Sequence, residues 1–228
     1  MPEDQIVPKR TGRPRSTGRR AEGDVVDEIL AAASRLIGQR GVGGTTMSRI
    51  AAEAGLRQPS LYYYFSRKEE LLAALVGRAN VVPLHLARAL FGGNADAAVK
   101  LHRFVQEDVV ALCRLPFDIN EVHRIAARDQ AEFADYWRER AQLQRLISRL
   151  VRDGVEAGSF RPVDPALTAL TVLGTDEGVQ NWFRVGGSHR PAAIGAAVSD
   201  LVVGGLLNGA DRLAEVRTAA GQLELPGV

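Results

Sequence analysis

The chain has 228 residues, of which 46% are hydrophobic and 25% are charged, a composition typical of a soluble globular protein with a substantial core. A single cysteine, Cys113, excludes an internal disulfide and fits a reducing cytoplasm. No apolar run reaches the length of a membrane span, and the N-terminus lacks the apolar segment of a signal peptide, so no membrane partner is expected. The net charge of +2 is unevenly distributed, because residues 1–78 hold 13 Lys/Arg against 9 Asp/Glu.

Residues 1–23 predict a disordered basic arm. Glycine and proline oppose a helix there, and six cations lie within the segment KRTGRPRSTGRR. Such an arm can follow DNA phosphates, or place Arg13 in a narrow minor groove. A solubilising tail that contacts no DNA is the alternative.

A helix is predicted from an Asp24 cap to about Arg40, and residues 46–65 then predict a helix-turn-helix. Thr46 is a good N-cap for a short helix, and Gly55 tolerates the positive φ that ends it. Pro59 suits the first turn of a second helix, because its missing N–H is not needed there. Two such helices form the motif that places a recognition helix in the major groove. Two core helices of an ordinary bundle are the alternative, which leaves three consecutive tyrosines unexplained.

A further helix is predicted to begin after Ser66, with Ser66 as its N-cap and Glu69 completing a capping box, and to extend to about Asn80. A DNA-binding domain over residues 24–80 follows from these elements. The segments ILAAASRLIGQRG, TTMSRIAAEAG, LYYYF and SRKEELLAALV, within residues 24–77, occur in an order that resembles the N-terminal domain of TetR-family transcriptional regulators.

The resemblance implies DNA-contacting roles for specific residues. In the family the start of the first motif helix touches phosphates and the recognition helix reads bases, while neighbouring positions hold the DNA backbone. Transferred to this sequence, these roles fall on Thr46, Ser48 and Arg49 for phosphates, Gln58, Pro59, Ser60 and Tyr63 for bases, and Tyr62, Tyr64 and Lys68 for the backbone. Tyr64 stands where many members have histidine, and a buried ring is an equally good interpretation of Tyr62.

Residues 83–214 predict a second, all-helical domain, since no strand-like alternation of any length occurs. Pro83 and the Gly92-Gly93-Asn94 segment are expected to break the chain into separate helices. Later helices are predicted over residues 96–114, 118–130, 131–157, 164–184 and 191–208, followed by a C-terminal tail at residues 215–228. The predicted fold is therefore all-α, with a three-helix N-terminal domain and a helical-bundle ligand-binding and dimerisation domain.

In the family the last two helices form the interface of a homodimer, and a helix-turn-helix protein needs a two-fold partner to read two half-sites. Small and apolar residues on the corresponding helices are the predicted interface: Gly174, Gly178, Ile194, Val198, Leu201, Val202 and Gly205. Packing within the chain's own core is the alternative for each of them.

Polar and aromatic residues of the second domain predict a cavity for a small-molecule effector, since helix interiors rarely carry such groups without water, a partner or a ligand. The candidate residues are Phe104, Phe117, Asn120, His123, Tyr136, Trp137, Asp176, Gln180 and Asn181. Solvent exposure or hydrogen bonding across a dimer is the alternative.

Catalysis, a metal site and a cofactor are not predicted. The four histidines are scattered, the Asp176-Glu177 pair diverges on a helix, and Cys113 lies in no nucleophile signature. The sequence therefore predicts a cytoplasmic, dimeric, ligand-responsive regulator that binds a double-stranded DNA operator, most simply as a repressor. A DNA-architectural protein that uses the same motif without a ligand is the alternative.

Overall fold

A computed structural model of the chain describes residues 22–115, 118–127 and 129–225, and over these ranges it is helical without a strand. The predicted all-α fold is therefore confirmed. The predicted basic arm with Arg13 precedes these ranges and Phe117 falls between them, so both lie outside the described residues.

The N-terminal domain is formed by α1 (Glu22–Arg40), α2 (Met47–Glu53), α3 (Gln58–Tyr64) and the first turns of α4 (Lys68–Phe91). Ile29 of α1, Ile50 of α2 and Leu61 of α3 are almost fully buried against one another's helices. Helix α1 already includes Glu22, so Asp24 lies inside the helix and does not cap it. The burial of these apolar side chains fixes the angle between α2 and α3.

Helix α4 crosses the boundary that the sequence predicted at residues 80–83. Pro83 lies inside the helix instead of ending it. Proline removes one helical hydrogen bond, but Val76, Leu84 and Ala87 are buried on either side of it and hold the helix in place. By length and composition alone α4 could cross a bilayer, which the sequence analysis did not predict. Leu71, Leu72, Leu75, Val76, Leu84, Leu86, Ala87 and Leu90 of this helix are buried in the two hydrophobic cores of the folded chain.

The helix begins one residue later than predicted, so the expected capping box is wrong. Arg67 occupies the N-cap position of α4. The backbone N–H of Ser66 donates to Glu70 Oε2 at 2.7 Å and its hydroxyl donates to the same oxygen at 2.9 Å. Glu70 therefore takes the place that the sequence pattern assigned to Glu69.

The remaining helices are α5 (Ala97–Arg114), α6 (Ile119–Ala126), α7 (Ala134–Glu156), α8 (Pro165–Gly178), α9 (Pro191–Leu206) and α10 (Leu213–Gln222). Asp96 and Asp164 cap α5 and α8 as the sequence indicates. Helix α6 is shorter than predicted, and α8 ends at Gly178 and continues only as one 3-10 turn, Val179–Asn181. The predicted C-terminal tail is wrong, since residues 213–222 form a helix.

Helix α10 packs against α5 and α9. Val216 and Ala220 of α10 are buried in the larger core. Arg217 donates to Asp200 of α9 at 2.6 Å, and Asp200 also lies 2.9 Å from His102 Nε2 of α5. This helix was missed because its apolar positions are few and small.

Two hydrophobic cores are present in the described residues. One contains the interior of α1–α3 and the start of α4 together with Leu112, Ile119, Ala126, Phe133 and Tyr136 from later helices. The other contains the end of α4, most of α5 and α7, and the buried faces of α8, α9 and α10. Helix α5 lies so close to α9 that a Cβ on Gly195 would come within 2.6 Å of the Gln106 carbonyl. Helix α4 is thus shared by both cores.

Candidate DNA-binding motif and ligand cavity

Helices α2 and α3 form the predicted helix-turn-helix. Thr46 caps α2, with its hydroxyl accepting from the Arg49 N–H at 3.4 Å. Gly55 has a φ of +68°, and the following Leu56 N–H donates to the Ala51 carbonyl at 2.8 Å, which closes the turn. Pro59 lies in the first turn of α3, where no helical N–H is required.

The outer face of α2 and α3 presents most of the predicted DNA-contacting residues to solvent. The exposed members are Thr46, Ser48, Arg49, Gln58, Pro59, Ser60, Tyr62 and Tyr63. Tyr63 is 77% exposed and Tyr62 44%, so a buried ring at Tyr62 is excluded. Tyr64 is half-buried, and its ring packs edge-on against Tyr63 with 5.1 Å between centroids. Aromatic rings exposed to this degree are available to a partner surface.

Cations surround this face. Arg49 donates to the Gly44 carbonyl at 2.6 Å, which holds its guanidinium beside the start of α2. Lys68, the first residue of α4, donates to the Val42 carbonyl. Arg57, at the N-cap of α3, is exposed and was not among the predicted contacts. The signal that could have identified Arg57 is its position directly before the exposed recognition residues.

A cavity of about 350 Å³ lies in the second half of the molecule, between α4, α5, α7 and α8, with Ile119 of α6 at one side. Its apolar wall is formed chiefly by Val82, Pro83, Leu86, Leu112, Leu143 and Leu173. Its polar wall contains Asn80, Asp108, Tyr136, Arg140 and Glu177, with Arg78, Glu107 and Arg114 also among the lining residues. A mainly apolar enclosure with a few polar groups is the usual composition of a small-molecule site.

The polar wall is organised by one ion pair. Arg140 of α7 donates twice to Glu177 of α8, with one of the two distances being 2.8 Å. Asn120 of α6 donates to the backbone carbonyl of Glu177 at 3.1 Å. The Tyr136 hydroxyl bonds His123 Nε2, and His123 Nδ1 lies 3.8 Å from Glu177. These contacts join α6, α7 and α8 behind the cavity.

Burial shifts the ionisation of this cluster. Burial and the nearby charge of Arg140 lower the pKa of His123 to about 4, so the ring is neutral at pH 7 and accepts from the tyrosine hydroxyl. Burial and the charge of Glu177 raise the pKa of Asp108 to about 7. Burial and the charges of Asp108 and Glu177 raise the pKa of Asp176, which does not line the cavity and has no hydrogen-bond partner among the described residues for either carboxyl oxygen.

The predicted effector residues meet at the cavity only in part. Tyr136 lines it directly, and His123, Asn120 and Asp176 lie behind the residues that do. Phe104 is fully buried in the larger core against Phe91, so its assignment to the cavity is wrong.

Trp137, Gln180 and Asn181 are also absent from the cavity wall. Trp137 packs against the N-terminal core. Gln180 accepts from the Ile119 N–H at 2.7 Å and donates to the Leu112 carbonyl at 2.8 Å, so it ties the end of α5 to the start of α6. Asn181 is exposed. The assignment of these three residues to the effector cavity is therefore wrong.

Two family models match this chain. Residues 29–75 match "Bacterial regulatory proteins, tetR family", and residues 94–206 match "Tetracyclin repressor-like, C-terminal domain", so that the two matches together span more than half of the sequence. The chain belongs to the TetR family of transcriptional regulators. The resemblance read from residues 24–77 is thereby confirmed, and the family consists of regulators and not enzymes.

Relatives of known name support this placement over about four-fifths of the chain. The transcriptional repressor KstR2 of Mycolicibacterium smegmatis is 27% identical over 195 residues, which cover 79% of this chain and 89% of KstR2. The structure of PfmR from Thermus thermophilus superposes with a TM-score of 0.70 at 27% identity, covering 78% of this chain and 97% of PfmR. AibR in complex with isovaleryl coenzyme A and operator DNA shares the fold, with a TM-score of 0.65 at 23% identity and coverage of 80% and 98%.

The helices on which the dimer interface is predicted carry exposed apolar groups. Leu167 and Leu170 of α8 are 64% and 54% exposed, and Leu201 of α9 is 73% exposed. The predicted interface residues Gly174 and Gly205 are also exposed, whereas Gly178, Val198 and Val202 are half-buried. Ile194 is only 5% exposed and packs in the chain's own core, so its assignment to an outer face is wrong.

The cavity residues that the sequence analysis missed are chiefly Asp108, Arg140, Glu177 and Asn80. Asp108 stands at the helical spacing of the buried residues Leu101, Phe104 and Leu112 of α5. A carboxylate on the buried stripe of an amphipathic helix was the signal that could have identified it.

Proposed function

We propose that this TetR-family chain is a homodimeric repressor whose recognition helices bind the two halves of an operator, and that a small molecule in the cavity reduces this binding. The observation that carries the proposal is that the single helix α4 runs from the DNA-binding motif to the cavity. Its first residue, Lys68, lies at the DNA-binding motif, and its segment from Arg78 to Leu86 lines the cavity.

Direct contacts give the cavity a route to the DNA-binding motif. Asn80 of α4 donates to the Tyr136 carbonyl at 3.3 Å, and Tyr136 both lines the cavity and belongs to the N-terminal core. Arg67, just before α4, pairs with Glu132, just before α7. A ligand that moves α7 relative to α4 would therefore change the angle at which α3 meets DNA.

The outward face of α3 supports major-groove binding. Gln58 can form paired hydrogen bonds with adenine, Ser60 can bond either base type, and Tyr63 or Pro59 can contact a thymine methyl. The cations around the motif are placed to neutralise phosphates. In this arrangement α3 supplies sequence preference and Arg49, Arg57 and Lys68 supply affinity.

The exposed leucines on α8 and α9 support a homodimer. The cleft between the two helices, bordered by Leu167, Thr171, Leu201 and Gly205, has a volume of about 500 Å³. A two-fold partner would bury these leucines and place two α3 helices on one side of the assembly. Operator binding by a repressor of this kind takes place in the cytoplasm, with no membrane involved.

The competing function is a DNA-architectural protein without a ligand. A filled core in the second half of the molecule would favour it. The cavity of about 350 Å³ falls within the size range of small-molecule sites and favours the ligand-responsive regulator instead. The complex of AibR with isovaleryl coenzyme A and operator DNA supports the idea that this fold can accommodate both kinds of partner.

The test begins with recovery of an operator from genomic fragments by the full-length protein, followed by a small-molecule screen for release. A genuine effector should weaken operator binding at least tenfold, which requires about 1.4 kcal/mol of preference for the non-binding conformation. Ala111→Trp, on the cavity wall, should abolish the response while operator affinity persists. Ala214→Trp, on the exposed side of α10, is the matched control. If the small molecule still releases the operator from the Ala111→Trp protein, the cavity is not the effector site.

A further inference from the structure

Asp108 is a buried carboxyl on the cavity wall that has no hydrogen-bond or ion-pair partner among the described residues. It lies on α5, is only 5% exposed, and lines the cavity. Its neighbours on the same face of α5, Phe104 and Leu112, are apolar and buried. An unpartnered polar group buried in a cavity indicates a partner that arrives from outside the chain.

The other charged groups that line the cavity have partners within the chain, with one exception. Arg140 pairs with Glu177, Arg78 with Asp27, and Glu107 with Arg103 at 3.3 Å. The exception is Arg114, which is exposed at the end of α5 and so retains contact with water. The buried part of the cavity therefore contains one carboxyl in excess of its cations.

The apolar residues that line the cavity together with Asp108 suit a hydrocarbon or aromatic body. Pro83 and Leu86 of α4, Leu143 of α7 and Leu173 of α8 line the same cavity and supply much of its apolar surface. A ligand that fills it gains from the removal of apolar surface from water, and a polar group at one end would fix its orientation.

We propose that the cavity binds an apolar amine, with its ammonium group paired to the carboxylate of Asp108 and its apolar body against the leucines of α4, α7 and α8. This inference rests on the proposed function in one respect, that the cavity is a ligand site. An ammonium supplies both the hydrogen-bond donors and the charge that Asp108 lacks. A carboxylate ligand would instead be repelled by the carboxylate of Asp108, and Arg140 is already paired with Glu177.

The proposal also predicts that amine binding depends on pH, because Asp108 titrates near neutral pH. The groups around it are Arg78 of α4, Glu107 and Arg114 of α5, His123 of α6, Tyr136 and Arg140 of α7, and Asp176 and Glu177 of α8. The pKa of Asp108 is raised to about 7 by burial and by the charge of Glu177. The pKa of His123 is about 4 and burial raises that of Tyr136 further above its usual range, so both stay neutral between pH 6 and 8.

The decisive experiment measures binding of octylamine, octanol and octanoate to the full-length protein by calorimetry at pH 8 and pH 6. At pH 8 octylamine should bind at least tenfold more tightly than either of the others. At pH 6 its affinity should fall about tenfold, because Asp108 is then mostly protonated. Asp108→Asn should remove both the preference for the amine and its pH dependence. Asp153→Asn, an exposed carboxyl of α7, should preserve both.

Several outcomes would overturn the amine assignment. These are equal binding of the three probes, failure of all three to bind, and an amine preference that persists in a helical, folded Asp108→Asn protein. The proposed function fails in a distinguishable way. Octylamine would then bind as expected, yet neither it nor any other cavity ligand would change the affinity for the operator.

Discussion

The DNA-binding face and the cavity wall both carry polar side chains, but these differ in their exposure to water. On α3 the polar groups are hydrated and free to meet a partner, and Tyr63 is 77% exposed. In the cavity, Asp108 and Glu177 are removed from water, and Glu177 depends on Arg140 for compensation. Changes at the exposed face should therefore alter binding alone, whereas changes at the buried wall should also alter stability.

The largest effect is expected at the buried ion pair. Arg140→Ala leaves the carboxylate of Glu177 without its cation, which should lower the free energy of unfolding by about 3–5 kcal/mol. Chemical denaturation followed by circular dichroism would measure the loss. Arg138→Ala, two residues earlier on α7, removes an exposed pair with Asp135 and should cost at most about 1 kcal/mol. Equal losses would contradict the distinction between the two environments.

A third surface, the exposed apolar face of α8 and α9, is the proposed dimer interface. Leu201→Glu should raise the dimer dissociation constant at least a hundredfold, about 2.7 kcal/mol, because a carboxylate would be buried in the proposed interface. The helical content should be retained, since Leu201 is exposed in the single chain. Sedimentation at micromolar concentration would show the change, with Val81→Glu, an apolar-to-acid change at an exposed position of α4, as the control. A monomeric wild-type protein would show that the face has another purpose.

At the recognition helix the expected change is in sequence preference. Gln58→Ala should weaken binding to the operator by about 1–3 kcal/mol and to random DNA hardly at all. Arg57→Ala should weaken both alike and reduce the slope of affinity against salt by about one. Fluorescence anisotropy at several salt concentrations would separate the two. If Gln58→Ala affects both DNAs equally, Gln58 does not read a base.

The smallest effect is a pH dependence that originates at Asp108. Its pKa of about 7 in the folded protein lies above the value of an unfolded chain, so the folded state binds the proton more tightly. The free energy of unfolding therefore falls as the pH rises from about 4 to about 7. Between pH 6 and pH 7 the wild-type protein should lose about 1 kcal/mol of stability relative to Asp108→Asn. Parallel denaturation curves at the two pH values would measure this difference. A constant difference between the two proteins would show that Asp108 does not titrate in this range.

The sequence predicted the DNA-binding motif well and the cavity poorly, for physical reasons. Thr46, Gly55 and Pro59 act on the backbone within a few residues of themselves, so their effects are visible in a short window. The cavity is assembled from five helices, and which side chains meet there depends on packing across the chain. The same limit explains why Pro83 was taken as a break, since the burial that stabilises α4 around it comes from distant helices.

The smaller of the two cores has a consequence for how the chain folds as it is synthesised. The interior of α1–α3 is completed by Leu112, Ile119, Ala126, Phe133 and Tyr136, which follow it by many residues. As the chain leaves the ribosome, the DNA-binding motif therefore remains an incomplete structure with apolar surface uncovered until α7 has begun to emerge. A fragment that ends at residue 80 would keep that surface uncovered permanently, so the motif gains its full stability only together with the part of the chain that encloses the cavity.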